Sequence, residues 1–456
     1  MFAFLLAAHL RHAGVLWEGD SLPLAAALQM KHGSVLYRDV WFDKPPLVAA
    51  VYLLWGAKLG APLRVAGAVY AWIACLVAYA LAAGTWSRRE GYWAAGLLGF
   101  FLTFDTHSAV LPLAADMLLV VPHLAAVLLA LRKQAFWSGM AAGIGFLFNA
   151  KAMFVLAACA IFAWPQAPML LAGFIVPNLA ALGWIAGTGA LTPYLDQVWR
   201  WPARYAASPI VADPVWNGVV RTVNWLGFHA VLAIGAVIFW WRRAGWKYLA
   251  WAAICYAGVV LGWRFFPRYF LLLLPVLTIA AARGLTLLRS RAAIAVVVVA
   301  MAVPLVRFTP RYVSLANWND LALDRDSREA SRIALADATS LVPAGGSLYV
   351  WGYRPEMYVY TGLRPATRFL DSQAMTGVPA DRHLTQSDVV LTAGTQEARA
   401  ELARSQPDVL IDGLGLYNPA LTMDHYPELR PWLAQYREAA RTKGSVIYVR
   451  LTTIKR

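Results

Sequence analysis

The chain has 456 residues, of which 60% are hydrophobic and only 14% charged, with a mean hydropathy of +0.53 and a net charge of +15. A soluble globular protein carries about a quarter of its residues as charges, so a wholly soluble fold is excluded, and the apolar and aromatic content excludes a disordered one. The positive charge is read first as loop arginines that set membrane topology and second as attraction to acidic headgroups or phosphates; nucleic acid is a poor third.

In chain order, residues 1–16 read as a short first membrane helix that carries Arg11 and His12. No small-residue cleavage site follows Leu16, as a secretory signal would require. So short a span leaves open a first helix that begins further upstream. The other candidate spans are 62–83, 91–104, 113–131, 135–149, 151–164, 168–187, 225–241, 246–262, 269–287 and 292–306. The apolar stretch Pro45–Ala57 opens with two prolines and is too short to cross, so it is expected to lie on the membrane surface.

Eleven crossings from a cytoplasmic N-terminus place Arg88, Arg89, Arg132, Lys133, Arg242, Arg243, Arg283, Arg289 and Arg291 inside, as the positive-inside rule asks. Segments 17–61, 105–112, 188–224, 263–268 and everything after Arg307 then lie on the far side. A crossing at Pro45–Ala57 combined with a reversed N-terminus satisfies the same charge count.

Composition changes near Arg307, after which charges are frequent and no apolar run reaches the ~20 residues of a spanning helix. Two domains are expected, a transmembrane catalytic part at 1–306 and an extracytoplasmic α/β part at 307–456. In the second, Ser347–Trp351, Val389–Leu391, Val409–Ile411 and Ser445–Val449 read as strands, and Ser327–Ala338, Gln396–Ser405 and Leu429–Ala440 as helices. It has no phosphate loop and no nucleophile elbow, and is expected to cover the outer face of the membrane part and help shape a site there. Cys75, Cys159 and Cys255 all sit in apolar stretches and read as small buried hydrophobes.

Acids cluster on the inferred outer face. Glu18 and Asp20 follow the first span, Asp39 and Asp43 lie in Tyr37-Arg-Asp-Val-Trp-Phe-Asp-Lys-Pro-Pro-Leu47, Asp105 ends the third span and Asp116 opens the fourth. An ionisable residue at or inside a membrane helix is costly and points to function. Each has a plainer alternative: Asp20 as the cap of a helix Ser21–Met30, Asp39 as the partner of Arg38, Asp105 as a boundary residue. Asp116, inside an apolar run, is the hardest to dismiss.

Lys44 is held by Pro45 and Pro46, which fix the backbone, and Arg268 lies at the same depth in Arg264-Phe-Phe-Pro-Arg-Tyr-Phe270. Either alone suits snorkelling to headgroups. With the acids they form a site in which carboxylates take a proton and cations hold a phosphate; Lys151 is a weaker candidate. Asp43 with His107 or His32 is a weak divalent-metal pair, since two ligands are too few. No dinucleotide fingerprint, P-loop or DxD triplet is present, so no nucleotide-sugar site is visible. The aromatics of Trp199-Arg-Trp-Pro-Ala-Arg-Tyr205 and Trp216 read as interfacial anchors, with stacking on a sugar or polyprenyl chain as the alternative.

The order of these motifs is specific. An acid after the first span is followed by Gly33, Tyr37-Arg38-Asp39, Asp43-Lys44-Pro45-Pro46-Leu47, Asp116, Lys151 after the glycine-rich span Gly139 to Gly145, and Pro267-Arg268-Tyr269. This resembles the bacterial C-type (GT-C) glycosyltransferases related to protein O-mannosyltransferases and lipid A aminoarabinose transferases, over most of the chain. Leu348-Tyr-Val-Trp-Gly352, Arg368-Phe369 and Pro407-Asp408 resemble that group's periplasmic domain.

The resemblance implies a polytopic α-helical membrane protein of about eleven transmembrane helices plus interfacial helices, with a C-terminal soluble α/β domain. It would reside in the bacterial inner membrane with its site on the non-cytoplasmic side. The implied activity is inverting transfer of a monosaccharide from a polyprenyl-phosphate-linked donor to a hydroxyl of a lipid, polysaccharide or protein. In this analogy Glu18 or Asp20 is the general base, with Asp20 preferred. Asp43, Lys44 and Arg268 surround the lipid phosphate, Tyr37, Lys151 and Tyr269 complete the substrate contacts, and Asp116 orients the acceptor or supports the base. The family shows adjacent acids where this chain has Glu18-Gly-Asp20, so either acid aligns. No cofactor is certain, and a divalent cation is left open. A lipid-linked sugar transporter or flippase would spread its charges over the midplane of paired halves, and a glycan polymerase or ligase would carry a large periplasmic loop in place of the C-terminal domain.

Overall fold

The computed structural model describes residues 1–206, 213–243, 245–288, 290–315, 319–342, 346–378 and 393–451. Arg289 and the expected strand Val389–Leu391 lie outside the described residues.

The first part is a bundle of apolar helices whose crossings are built on small side chains. The 25-residue helix Ala61–Thr85 starts on Pro62 and buries Gly67, Ala68, Ala71, Ala74 and Ala78 on one side. Gly67 marks its contact with the first helix, Phe2–Leu10, because a Cβ there would stand 2.8 Å from His9 Nδ1. A very close crossing joins Ala135–Phe146 to Ala167–Gly187. A Cβ on Gly139 would meet the Leu170 carbonyl at 1.9 Å, and one on Gly173 would meet the Phe136 carbonyl at 1.9 Å, so the two backbones touch. Lipid supplies no hydrophobic drive between helices, and close backbone packing takes its place.

These apolar helices make the chain a membrane protein. Among the described residues three stretches are long and apolar enough to cross a bilayer, Ala61–Thr85, Ala152–Gly187 and Arg291–Val313, with a fourth if the bent pair Pro214–Phe228 and Ala230–Arg242 is one span. Other expected spans are shorter helices, Ala115–Leu131, Ala135–Phe146 and Leu274–Thr286 among them, so helix length and hydropathy alone give fewer crossings than the eleven expected. The stretch expected on the membrane surface forms a short helix, Leu47–Ala50, and a 3-10 turn, Val51–Trp55, stopped by Gly56 at φ +71°.

After the last membrane helix, Asn319–Leu341 leads into a five-stranded sheet. Its strands are β1 (Ser347–Trp351), β2 (Arg364–Pro365), β3 (Val409–Asp412), β4 (Tyr436–Arg441) and β5 (Val446–Arg450), in the order β2-β1-β3-β5-β4. β1 runs parallel to β2 and β3, and β5 is antiparallel to β3 and β4. The helix expected at Leu429–Ala440 is corrected: only Arg430–Leu433 is helical, and the following Tyr-Arg-Glu-Ala-Ala-Arg is β4. Ladder bonds to β5, in the register Arg437↔Val449 and Glu438↔Tyr448, override the helical propensity of its alanines and glutamate.

The sheet domain is docked on the helices. The Trp41 N–H donates to the Arg368 carbonyl at 2.8 Å, and Trp201 Nε1 donates to Gln373 Oε1 at 3.3 Å. At a second contact the Leu16 N–H donates to Asp324 at 3.2 Å and Arg328 donates to the Gly14 carbonyl at 3.0 Å.

Candidate active site

The helix after the first span begins at Glu18, with Trp17 as its cap, so Asp20 lies in the first turn and does not cap a helix from Ser21. Its carboxylate is fully buried and fully engaged. It pairs with Arg64 at 3.0 Å, accepts from the Tyr52 hydroxyl at 2.6 Å and accepts from the Leu113 N–H at 2.9 Å. Arg64 also donates to the Leu111 carbonyl at 3.1 Å and the Val15 carbonyl at 3.0 Å. This buried pair ties four separate segments together. Glu18, one turn-start earlier, is half-buried. Between the two, Gly19 packs so closely that a Cβ would stand 2.8 Å from Pro112 Cβ, which brings this helix start against the turn that leads into Asp116.

Asp116 opens the helix Ala115–Leu118 and gathers cations from two other segments. Lys151 Nζ lies 3.6 Å from Oδ1 and Arg268 Nε 3.7 Å from Oδ2. Asn149 donates to Oδ1 at 3.0 Å, and Lys151 Nζ stands 3.0 Å from the centre of the Tyr269 ring. Lys151 Nζ makes no hydrogen bond among the described residues although it is buried. A buried ammonium facing a carboxylate beyond hydrogen-bond reach retains donors for an anion. Arg268 is held by the 3-10 turn Pro267–Leu272, which packs against the Asp116 helix.

The loop from Tyr37 to Lys44 is built to hold one lysine. Tyr37 has φ +71°, a costly backbone for a residue with a Cβ. Its surroundings hold it there: its N–H donates to the Val40 carbonyl at 2.9 Å, its carbonyl accepts from Gln197 at 2.8 Å, and its hydroxyl donates to the Lys44 carbonyl at 2.8 Å. Lys44 Nζ pairs with Asp43 Oδ2 at 2.6 Å. Asp43 is buried, and its Oδ1 has no hydrogen-bond partner among the described residues. Leu47 donates to the Leu147 carbonyl at 3.1 Å, joining this block to the segment that carries Asn149 and Lys151.

One site residue escaped the sequence reading. Asp371, in the sheet domain, is buried, and its carboxyl is pushed up to about 7, first by burial and then by the nearby Asp43 charge, against the pull of Lys44 and of hydrogen bonds from Gln373. Nothing in the local sequence flags it, since only docking of the sheet domain brings it to Lys44. Arg64 and Asn149 were also passed over, though a charged arginine near the start of an apolar span was a visible signal.

Other candidates lie elsewhere. Asp39 pairs with Arg38 at 2.8 Å in an exposed contact, as its plainer reading had it. Asp105 is buried and faces His229 at 3.3 Å. His107 stacks among His12 and Tyr312, while Asp43 pairs with Lys44. Among the described residues no group of three or more His, Cys, Asp or Glu side chains could hold a metal ion. All three cysteines are buried thiols.

No known family's sequence model matches the chain, and no curated protein matches it. Solved structures do. The chain is similar to ArnT from Cupriavidus metallidurans in the apo state, with a TM-score of 0.58 and 15% identity over 98% of this chain and 96% of that one. It is similar to the same protein bound to undecaprenyl phosphate, with a TM-score of 0.52 and 15% identity over 98% and 97%. The archaeal oligosaccharyltransferase AglB from Archaeoglobus fulgidus, in complex with an inhibitory peptide and a dolichol-phosphate, matches at a TM-score of 0.48 and 12% identity over 100% and 75%. The ArnT match bears out, at the level of the fold, the resemblance read from the motif order.

Proposed function

We propose that this chain is an inverting GT-C glycosyltransferase that takes a monosaccharide from a polyprenyl-phosphate carrier and passes it to an acceptor hydroxyl. The observation that carries the reading is the convergence of Lys151 and Arg268 on Asp116, with Lys44 anchored to the same segment through Leu47 and Leu147. Three cations, Lys151 and Arg268 standing 3.6 and 3.7 Å from Asp116 and Lys44 paired with Asp43 at 2.6 Å, suit a phosphate leaving group, which needs stabilisation of charge more than it needs an acid. ArnT from Cupriavidus metallidurans, which has a similar fold, is known bound to undecaprenyl phosphate, which supports a lipid carrier for the donor.

In this reading the donor phosphate rests between Lys44, Lys151 and Arg268. The acceptor oxygen attacks the anomeric carbon from the opposite face while its proton passes to a carboxylate. The carbon–oxygen bond to phosphate breaks and its electron pair leaves with the polyprenyl phosphate. We assign the base to Glu18, half-buried at the start of the helix, because the Asp20 carboxylate is sealed from solvent, whereas a base must reach its acceptor. The membrane location proposed is a bacterial inner membrane, with the site and the C-terminal domain on the non-cytoplasmic side.

Purified protein in lipid, supplied with polyprenyl-phosphate sugars and candidate acceptors, tests the reading through loss of the donor. Glu18→Gln is expected to lower kcat by about 10²- to 10⁴-fold while leaving KM for the donor within twofold. Turnover that survives both Glu18→Gln and Asp20→Asn would remove the base assignment. Movement of an intact lipid-linked sugar across the bilayer, with no new glycosidic bond, would favour a flippase.

A further inference from the structure

The sheet domain reaches into the site as well as covering it. Its segment Arg368–Asp371 is fastened to the Tyr37–Lys44 loop where the Trp41 N–H meets the Arg368 carbonyl at 2.8 Å, with Phe369 beside the Trp41 ring. Two residues on, Asp371 is only 2% exposed and lies within electrostatic reach of both Asp43 and Lys44. The Asp371 carboxyl accepts from the Gln373 N–H at 3.0 Å and from Gln373 Nε2 at 3.3 Å, which orient it without neutralising it. Lys44, a cation acting on Asp371, is already bound to Asp43 at 2.6 Å. Asp43 Oδ1, buried and without a hydrogen-bond partner among the described residues, is an acceptor site that the protein leaves unfilled.

We propose that Asp371 is a positioning and specificity residue that, with Asp43, limits how much negative charge Lys44 can hold, so that the pocket binds a phosphodiester more tightly than a phosphomonoester. This rests on the reading of Lys44 as a lipid-phosphate contact. A sugar-linked polyprenyl phosphate is a diester with one charge; the polyprenyl phosphate left after transfer is a monoester with up to two. Two carboxyls around one ammonium weaken the hold on the second more than on the first, which favours product release. The Tyr349 and Tyr358 hydroxyls are the other titratable groups coupled to Asp371; both stay neutral in the working range and leave the charge balance to these three side chains.

The test measures binding of undecaprenyl phosphate and of its methyl diester to the intact protein in lipid nanodiscs at pH 8. Asp371→Asn keeps an oxygen to accept from Gln373 and removes the charge. It is expected to bind the monoester about fivefold more tightly, as loss of one like charge several ångströms away implies, and to change diester binding by less than twofold. In a Lys44→Gln background the same substitution is expected to have no effect, because the coupling runs through Lys44. Weaker or unchanged monoester binding, an equal gain for both lipids, or a gain that persists without Lys44 would overturn the proposal. If Asp371→Asn does not fold, Asp371→Ser carries the same expectation. A wild-type protein that binds neither lipid would instead overturn the lipid-phosphate reading itself.

Discussion

Replacing either Asp20 or Arg64 alone is expected to destabilise the folded chain by about 3–5 kcal/mol, the largest stability effect of any single exchange in the bundle. Both side chains are sealed from solvent, at 0% and 1% exposure. Removing one leaves the other as an uncompensated charge in an apolar interior, where the cost of desolvation is not returned. Removal of Arg64 also strips two carbonyls, Leu111 and Val15, of their donor. A double replacement by apolar residues of similar size, Asp20→Leu with Arg64→Met, is expected to recover much of the loss, because no isolated charge remains. Thermal unfolding midpoints in lipid would read all three. An Asp20→Asn protein as stable as the wild type yet without turnover would return the role of base to Asp20.

Lys44→Gln and Arg268→Gln are each expected to reduce kcat/KM by about 10²- to 10³-fold, with little change in the unfolding midpoint. The two effects separate because these side chains are partly solvated, at 39% and 35% exposure, and a glutamine at 44 keeps an amide donor for the buried Asp43 that Lys44 pairs with. Arg268→Lys is expected to restore only part of the activity. A guanidinium presents a fixed fork to two phosphate oxygens, whereas an ammonium acts as a point charge. Full activity in both glutamine variants would show that neither cation meets the phosphate.

Much of this site was legible before any coordinates because its residues are chemically conspicuous. Lys44 ahead of two prolines, Asp116 in an apolar run and Arg268 beside a proline each break the local pattern of a membrane protein. The structure brings Asp116, Lys151, Arg268 and Tyr269 into one cluster and ties the Tyr37–Lys44 loop to it. What the sequence hid is what depends on tertiary partners. Asp20 looked like a catalytic acid or a helix cap, and only the arrival of Arg64 from the next long helix makes it a structural clamp. Asp371 sits in an ordinary polar segment and becomes a site residue only through docking of a separate domain. The strand Tyr436–Arg441 read as helix because its alanines and glutamate have that propensity, while the hydrogen bonds that decide the matter come from β5.

A structure of the protein in lipid with undecaprenyl phosphate bound tests the central claim most directly. The account predicts phosphate oxygens within hydrogen-bond distance of Lys44 and Arg268, with the Lys151 ammonium turned toward them and the lipid tail leaving between the apolar helices. A phosphate seated away from all three cations, or a lipid bound only along the outer helix faces, would contradict it.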